Sequence, residues 1–339
     1  MNRKIFIAGS VVLLFIFLTT IGYGNCKVPQ DTLKKSTTIL KSTSGAPGKS
    51  GTKESPSKSN QSTIIRPAKK DTLNKKQNPF QAKEQKDTIK SKAQEYFRIG
   101  SAKETQGDYQ GAIDDFSKSL SIYKNGNTYL KRGLTYITMD NYPLAIKDLD
   151  EAVKMLPKSA RAYFTRGVCL YEMNDLQKAD EDLTRCIELD STNKGAFNYK
   201  AAIKFQEKDF QGALESYNMV IRLDSNYKEA YTNRGMIRHY LKDYKGAVED
   251  YDKALKLDPY NPTAYNNRGA AKITLQDYQS AITDFDAALQ LRDDYPDAYG
   301  NRGDARLKTG DTKGACEDWQ KAYSLGLESA KESIMKYCN

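Results

Sequence analysis

His239 is the chain's one histidine. An imidazole acting as a general base needs an acid to orient it or a nucleophile to activate, both within hydrogen-bond reach. Neither recurs beside His239, so the residue reads as a partner contact or a spectator. The sequence holds no phosphate-binding glycine loop, dinucleotide fingerprint, zinc-peptidase helix or nucleophile elbow. Neither a cofactor nor a metal site is implied, and no catalytic residue can be named. Of the five cysteines, Cys26 stands apart near the N-terminus, which leaves an even four for pairing in an oxidising compartment. Cys316 and Cys338 are close enough in sequence to staple the C-terminal end. Cys169 and Cys186 fall in the two helices of one unit and offer a second pair. Alternatively Cys186, standing where Ala152, Ala254 and Ala288 stand elsewhere, is simply a small buried side chain.

The carboxylates recur with a period of 34 residues, and so do most other landmarks. In residues 262–295, Tyr265, Gly269 and Lys272 follow one 3.6-residue stripe. After a polar break at Gln276 and Asp277, the residues Tyr278, Ala281, Phe285 and Ala288 follow another. The spacing predicts a pair of helices. Asp277 stands at the N-cap of the second, where its carboxylate can accept from orphan amides, and Asp108, Asp175, Asp209, Asp243 and Asp311 stand likewise. Gly269 and Ala281 lack bulk where the two helices would cross, and Tyr265 and Phe285 fill the space around them. A single pair cannot bury its stripe, but stacked copies can.

Seven copies can be registered, beginning near Ala93, Gly126, Ala160, Lys194, Lys228, Pro262 and Pro296. The first aromatic is Tyr96, Tyr129, Tyr163, Phe197, Tyr231, Tyr265 and Tyr299. The glycine is Gly100, Gly133, Gly167, Gly235, Gly269 and Gly303, with Ala201 in its place once. The alanine of the second helix is Ala112, Ala145, Ala179, Ala213, Ala247, Ala281 and Ala315, and its large neighbour is Phe116, Leu149, Leu183, Tyr217, Tyr251, Phe285 and Trp319. This pattern resembles the tetratricopeptide repeat. It departs from the family in a first copy one residue short and in keeping the late proline only as Pro157 and Pro259. The resemblance implies an all-α fold, a right-handed α-solenoid of seven helix pairs over residues 93–329, with residues 330–339 capping its open end.

Arg132, Arg166, Arg234, Arg268 and Arg302 recur just before the glycine, and Asp148, Asp182, Asp250, Asp284 and Asp318 recur 16 residues later. In the fourth repeat Lys200 and Ser216 replace both, so an Arg–Asp ladder joining the two helices of each repeat is expected. By the resemblance, the first helices line a concave groove. Its early repeats present Phe97, Leu130, Phe164, Tyr171, Tyr199 and Phe205. Its later repeats present Asn233, Asn267 and Asn301, with Asn198 and Asn266 alongside. An amide donates and accepts, so such a row could hold a peptide backbone without reading its sequence. The row is similar to the asparagine ladder of the O-linked N-acetylglucosamine transferase repeat domain, whose catalytic domain has no counterpart here. Repeat duplication without a ligand would produce the same row. The carboxylate clamp of chaperone-binding members is not matched, since Arg161 and Thr165 lack its companion Asn and Lys.

Residues 1–24 carry Arg3 and Lys4, an apolar run over residues 5–21 and a small-residue end at Gly22, Tyr23 and Gly24, the anatomy of an export signal. Cleavage, retention as an anchor and lipidation at Cys26 all remain open. Residues 25–92 are rich in Lys, Ser, Thr, Gln and Pro, with Phe80 their one aromatic, and read as a disordered tether. Coil statistics give it a span of about 45 Å, and full extension about 230 Å. It holds 16 Lys and Arg against 5 Asp and Glu, whereas residues 93–339 hold 35 against 38, so the basic excess belongs to the tether. That charge could attach to a membrane or cell-wall polymer, or merely keep a spacer open. Nucleic acid is not an expected partner, because the tether lacks interleaved aromatics for stacking. The expected partners are other proteins or extended peptides, with self-association of the array as a further option. The reading that results is a non-enzymatic scaffold of the cell envelope, with a periplasmic holdase for unfolded segments as the alternative.

Overall fold

The computed structural model describes residues 79–338. Within them lie fifteen helices, from α1 (Pro79–Thr105) and α2 (Tyr109–Ile122) to α14 (Thr312–Ser324) and α15 (Ala330–Tyr337). The signal-like segment, Cys26 and most of the tether fall outside the described residues. The tether's last stretch does not: residues 79–92 are helical and continuous with the first repeat. Their expected disorder is corrected by that continuity, since the turns of α1 over residues 93–105 are packed on α2 and supply a formed nucleus from which the helix extends. No helix among the described residues is long and apolar enough to cross a membrane.

The remaining elements are α3 (Gly126–Thr138), α4 (Tyr142–Met155), α5 (Ala160–Glu172), α6 (Leu176–Leu189), α7 (Lys194–Gln206), α8 (Phe210–Leu223), α9 (Lys228–Tyr240), α10 (Tyr244–Leu257), α11 (Pro262–Thr274), α12 (Tyr278–Leu291) and α13 (Pro296–Lys308). Each odd helix packs on the even helix that follows, and each even helix on the next pair. Odd helices of successive pairs also touch one another, α3 on α5, α5 on α7, α9 on α11 and α11 on α13, so they form one continuous face.

The turn inside each pair is specified locally. Gly107, Asp140, Asn174, Lys208, Lys242, Gln276 and Gly310 all take positive φ and end the odd helix. The next residue then caps the even helix: Asp108, Asp209 and Asp311 accept from the N–H three residues on at 2.9 Å, Asp243 at 3.0 Å and Asp277 at 3.3 Å. Asn141 and Asp175 do the same in their repeats.

Where the helices cross, the seven alanines and their seven large neighbours are fully buried. A Cβ at Gly269 would lie 2.7 Å from Phe285 Cε1, so this glycine is required by close approach of the helices.

The Arg–Asp ladder forms in all five repeats that encode it. Arg132 and Arg166 each hold their aspartate in a two-pronged bridge with N–H···O distances of 2.7 and 2.8 Å. In Arg234 and Arg268 the distances are 2.9 and 2.5 Å, and in Arg302 they are 2.9 and 2.6 Å. The remaining guanidinium nitrogen reaches backward. It donates to the preceding even helix at Ser117, Asp150, Asn218, Asp252 and Asp286, over 2.6 to 2.9 Å. One side chain therefore fixes both helices of its repeat and the repeat before it. Lys200 keeps only the backward arm, to Asp180 and Thr184 at 2.7 Å each, while Ser216 turns to its own helix.

At the C-terminal end a disulfide joins Cys316 to Cys338 and holds α15 on α14. Trp319, the chain's one tryptophan, is buried beneath it with Tyr337 at 5.7 Å. Cys169 and Cys186 do not pair; both are free and buried.

Two expectations follow. Arg268→Ala leaves buried Asp284 with Lys272 alone, at 2.8 Å, and should cost about 3 kcal/mol in urea unfolding; replacing Arg268 and Asp284 together by Leu should recover most of that. Reducing the Cys316–Cys338 bond reopens a loop of 22 residues and should weaken the end of the stack by roughly 3 kcal/mol, read as a red shift of Trp319 emission at lower denaturant.

An aromatic face on the odd helices as candidate functional site

The residues expected to line the groove divide by burial. Phe97, Phe164, Tyr171, Phe205 and Asn233 are half-buried, whereas Leu130, Tyr199, Asn267 and Asn301 are buried. Two of the three amides expected to hold a peptide are thus closed to one, and Asn233 alone keeps partial exposure. Asn267 is 1% exposed and Asn301 4%, too little for their amides to meet a ligand backbone. Repeat packing closes over them. Asn266 donates to Asn267 at 3.2 Å and Asn301 donates to Asn266 at 3.1 Å, so the amides bond across α11 and α13. One repeat earlier, Asn233 and Asn267 lie beside the phenols of Tyr217 and Tyr251. A buried phenol or amide needs a polar neighbour, and the row places one beside each phenol, although Tyr251 Oη and Asn198 Oδ1 stay without a hydrogen bond among the described residues.

Aromatic side chains remain accessible on the same face. Phe164 on α5 meets Tyr199 on α7 edge-on with ring centroids 6.1 Å apart, and Tyr171 meets the same ring at 5.2 Å. A second group follows at once. Phe205 on α7 lies 5.7 Å from Phe210 and 5.4 Å from Tyr240, while Phe210 and Tyr240 stack at 5.1 Å. Gln206 donates to Tyr171 Oη at 2.9 Å and ties the two groups together. Edge-to-face and stacked rings hold one another rigid, so they offer apolar area without a large loss of rotamer freedom on binding. Tyr240 is 45% exposed, which leaves the second group open to a partner.

The carboxylate of Glu172 lies at the edge of the first group, close enough to act on the phenols of Tyr171 and Tyr199. Glu172 follows Tyr171 at the end of α5, is half-buried, and has no ion-pair partner among the described residues. Burial, and then the neighbouring Asp140, push its carboxyl above the usual range. Burial likewise raises the Tyr171 phenol, and the Gln206 hydrogen bond opposes that rise. His239 belongs to the neighbouring packing: its ring meets Tyr244 edge-on at 5.0 Å and its Nδ1 is buried without a partner. Burial lowers its pKa from 6.5 to about 4, so it is neutral at pH 7.

Phe210, Tyr240 and Glu172 were not singled out from sequence, although a signal exists. At the register of Glu172 the other six repeats carry Thr105, Thr138, Gln206, Tyr240, Thr274 and Lys308, so it is the single acid there. Among the described residues no group of three or more His, Cys, Asp or Glu is placed to hold a metal ion.

Sequence models described as tetratricopeptide repeat match residues 93–125, 126–158, 160–193 and 266–325, and one described as TPR repeat matches residues 235–276. No curated protein matches the chain. Among solved structures, the C-terminal part of a TPR repeat-containing protein from Cytophaga hutchinsonii is 19% identical with a TM-score of 0.59, over 70% of this chain and 99% of that one. Pseudomonas aeruginosa pilF is 19% identical with a TM-score of 0.55, over 63% and 97%. YrrB, described as a TPR protein with an unusual peptide-binding site, is 18% identical with a TM-score of 0.50, over 55% and 97%. At these identities the likeness is one of fold.

The folded pKa of His239 lies below its unfolded value, so the native state disfavours its protonated form. Stability should be complete above about pH 6.5 and fall as the pH drops toward 4. His239→Leu should flatten that part of the profile, and an NMR titration of the imidazole should show a midpoint near 4.

Proposed function

Because the chain is a tetratricopeptide repeat protein with multiple repeat motifs, we propose that it is a non-enzymatic scaffold that binds an extended polypeptide across the aromatic face of α5, α7 and α9. The observation that carries this reading is the accessible aromatic surface made by Phe164, Tyr171, Phe205, Phe210 and Tyr240, with the Arg–Asp bridges of Arg166 and Arg234 fixing α5 and α9 and Lys200 tying α7 to the repeat before it. Rigid aromatics at the centre of a face are what a binding hot spot requires. The peptide-binding site of YrrB belongs to that protein; it supports the reading by showing the use to which such an array can be put.

The place of action proposed is the cell envelope. Arg3, Lys4 and the apolar run of residues 5–21 support export, and the basic residues of the tail would hold the array near an anionic surface. A holdase would use the same aromatic face for many unfolded segments, so the two readings part on partner number.

The test is crosslinking capture from the native envelope with the full chain, beside Tyr171→Ala/Phe205→Ala/Tyr240→Ala. A few partners captured by the former and reduced about 30-fold by the variant, roughly 2 kcal/mol, are expected. Equal capture would move recognition to another face, and a broad, detergent-sensitive set would favour the holdase.

A further inference from the structure

The aromatic face has a chemistry of its own: apolar rings on α5, α7 and α9, bordered by Glu172, a half-buried acid with no ion pair among the described residues and with the carboxylate of Asp140 nearby. A complementary ligand would carry two or more apolar side chains followed by a single cation. The chain contains that pattern twice outside the described residues. Thr38, Ile39, Leu40 and Lys41 form one copy, and Thr63, Ile64, Ile65 and Arg66 form the other. They stand in a segment, residues 25–78, otherwise almost bare of adjacent large apolar residues and carrying twelve Lys and Arg against three Asp and Glu.

We propose that the aromatic face of α5, α7 and α9 is occupied by this chain's own N-terminal segment, with Ile39 and Leu40, or their counterparts Ile64 and Ile65, on the rings and Lys41 or Arg66 at Glu172. The inference rests on the groove reading given above and names its occupant. Three observations favour it. Apolar pairs match the rings of Phe164, Tyr171, Phe205 and Tyr240, which are spread over three odd helices, Tyr171 and Phe205 at one register, Tyr240 one residue further on and Phe164 two turns earlier. The cation matches a half-buried carboxylate that has no ion pair among the described residues, whereas the fully buried aspartates of the array have Arg or Lys partners. Reach favours the first motif. The 37 residues between Lys41 and Pro79 extend up to about 125 Å, three times the roughly 40 Å length of α1. The 12 between Arg66 and Pro79 extend up to about 40 Å, no more than that length.

The consequence is competition. The segment is covalently present at an effective concentration near the millimolar range, so a partner peptide must displace it to enter the face. A partner with the same apolar-then-basic order would do so most readily, and binding would weaken as salt screens the Glu172 contact.

The experiment places p-benzoylphenylalanine at Tyr171 in the full chain, followed by irradiation and peptide mapping. Crosslinks to the peptides containing Ile39–Lys41 or Ile64–Arg66 are expected. They should fall at least about 10-fold when Ile39, Leu40, Ile64 and Ile65 become Asp. Glu172→Lys should reduce them about 5-fold, and combining it with Lys41→Glu and Arg66→Glu should restore them, a charge reversal that a purely structural effect would not produce. Mixing isotope-labelled and unlabelled chains tells whether the segment comes from the same copy or a second one; crosslinks within one copy are expected, and crosslinks found only between copies overturn the covalent occupant. Crosslinks that miss both motifs, or that ignore their substitution, overturn it. If the derivative instead captures a foreign polypeptide from the envelope, the groove reading stands and its own-chain occupant falls; if it captures neither, both fall.

Discussion

A buried carboxylate in every repeat but one is the constraint from which the geometry of the array follows. Asp115, Asp148, Asp182, Asp250, Asp284 and Asp318 are at most 5% exposed, and an ionised group so placed is tolerable only beside a cation with further hydrogen bonds. Arginine meets the need best, because its planar fork grips one carboxylate with two nitrogens and leaves a third to reach elsewhere. In this chain the third nitrogen always points to the preceding repeat. Helix pairing and repeat stacking are thus set by one residue type. Tyr129, Tyr231, Tyr265 and Tyr299 lie under their guanidinium groups at 5.4 to 5.9 Å, which orients the fork from the other side. Asp115 has no arginine and uses Lys103 at 2.6 Å, so the charge requirement survives where the planar bridge does not.

The same stacking decides which part of the odd-helix face is open. Where a repeat carries Tyr217 or Tyr251 midway along its even helix, an asparagine 16 residues later lies beside the phenol, Asn233 half-buried and Asn267 fully covered. Phe285 has no hydroxyl, and its successor Asn301 bonds sideways to Asn266. The amide row is therefore a device for burying polar groups between repeats, and the aromatic residues of α5, α7 and α9 are what remains for a partner. Polar atoms inside and rings outside invert the expectation drawn from side-chain type alone.

The fold was legible because its signals are local and periodic: the cap aspartates, the glycine at the crossing and the 16-residue Arg–Asp spacing each appear several times in one chain. Cys316 and Cys338 could be proposed as a pair because both belong to the short terminal cap. The burial of Asn267 and Asn301 was not legible, since it depends on how closely the next odd helix approaches, a distance that spacing along the chain does not encode. The start of α1 was missed for a related reason. Residues 79–92 are almost wholly exposed, so they carry no apolar stripe, and their helix is an extension of a packed one. Composition reads such a stretch as tether.

In a periodic array, what recurs builds the stack and what fails to recur marks a place where stacking did not choose the residue. By that criterion the third to fifth repeats stand out. Glu172 replaces the Thr found at its register in three of the other six repeats, Ala201 replaces a glycine, Lys200 and Ser216 replace the bridge, and His239 with Tyr240 ends α9. The aromatic groups lie across these same repeats. Loss of the fork at Lys200 removes the tie between α7 and α8 that the other repeats keep, while its backward contact to Asp180 and Thr184 still holds the stack together. The ring-bearing helix α7 thus lacks the charged bridge to α8 and is held on it by apolar packing alone, through Ala201 against Ala213 and Tyr217, so that the one odd helix at the centre of the aromatic groups is tied by charge only to the repeat before it.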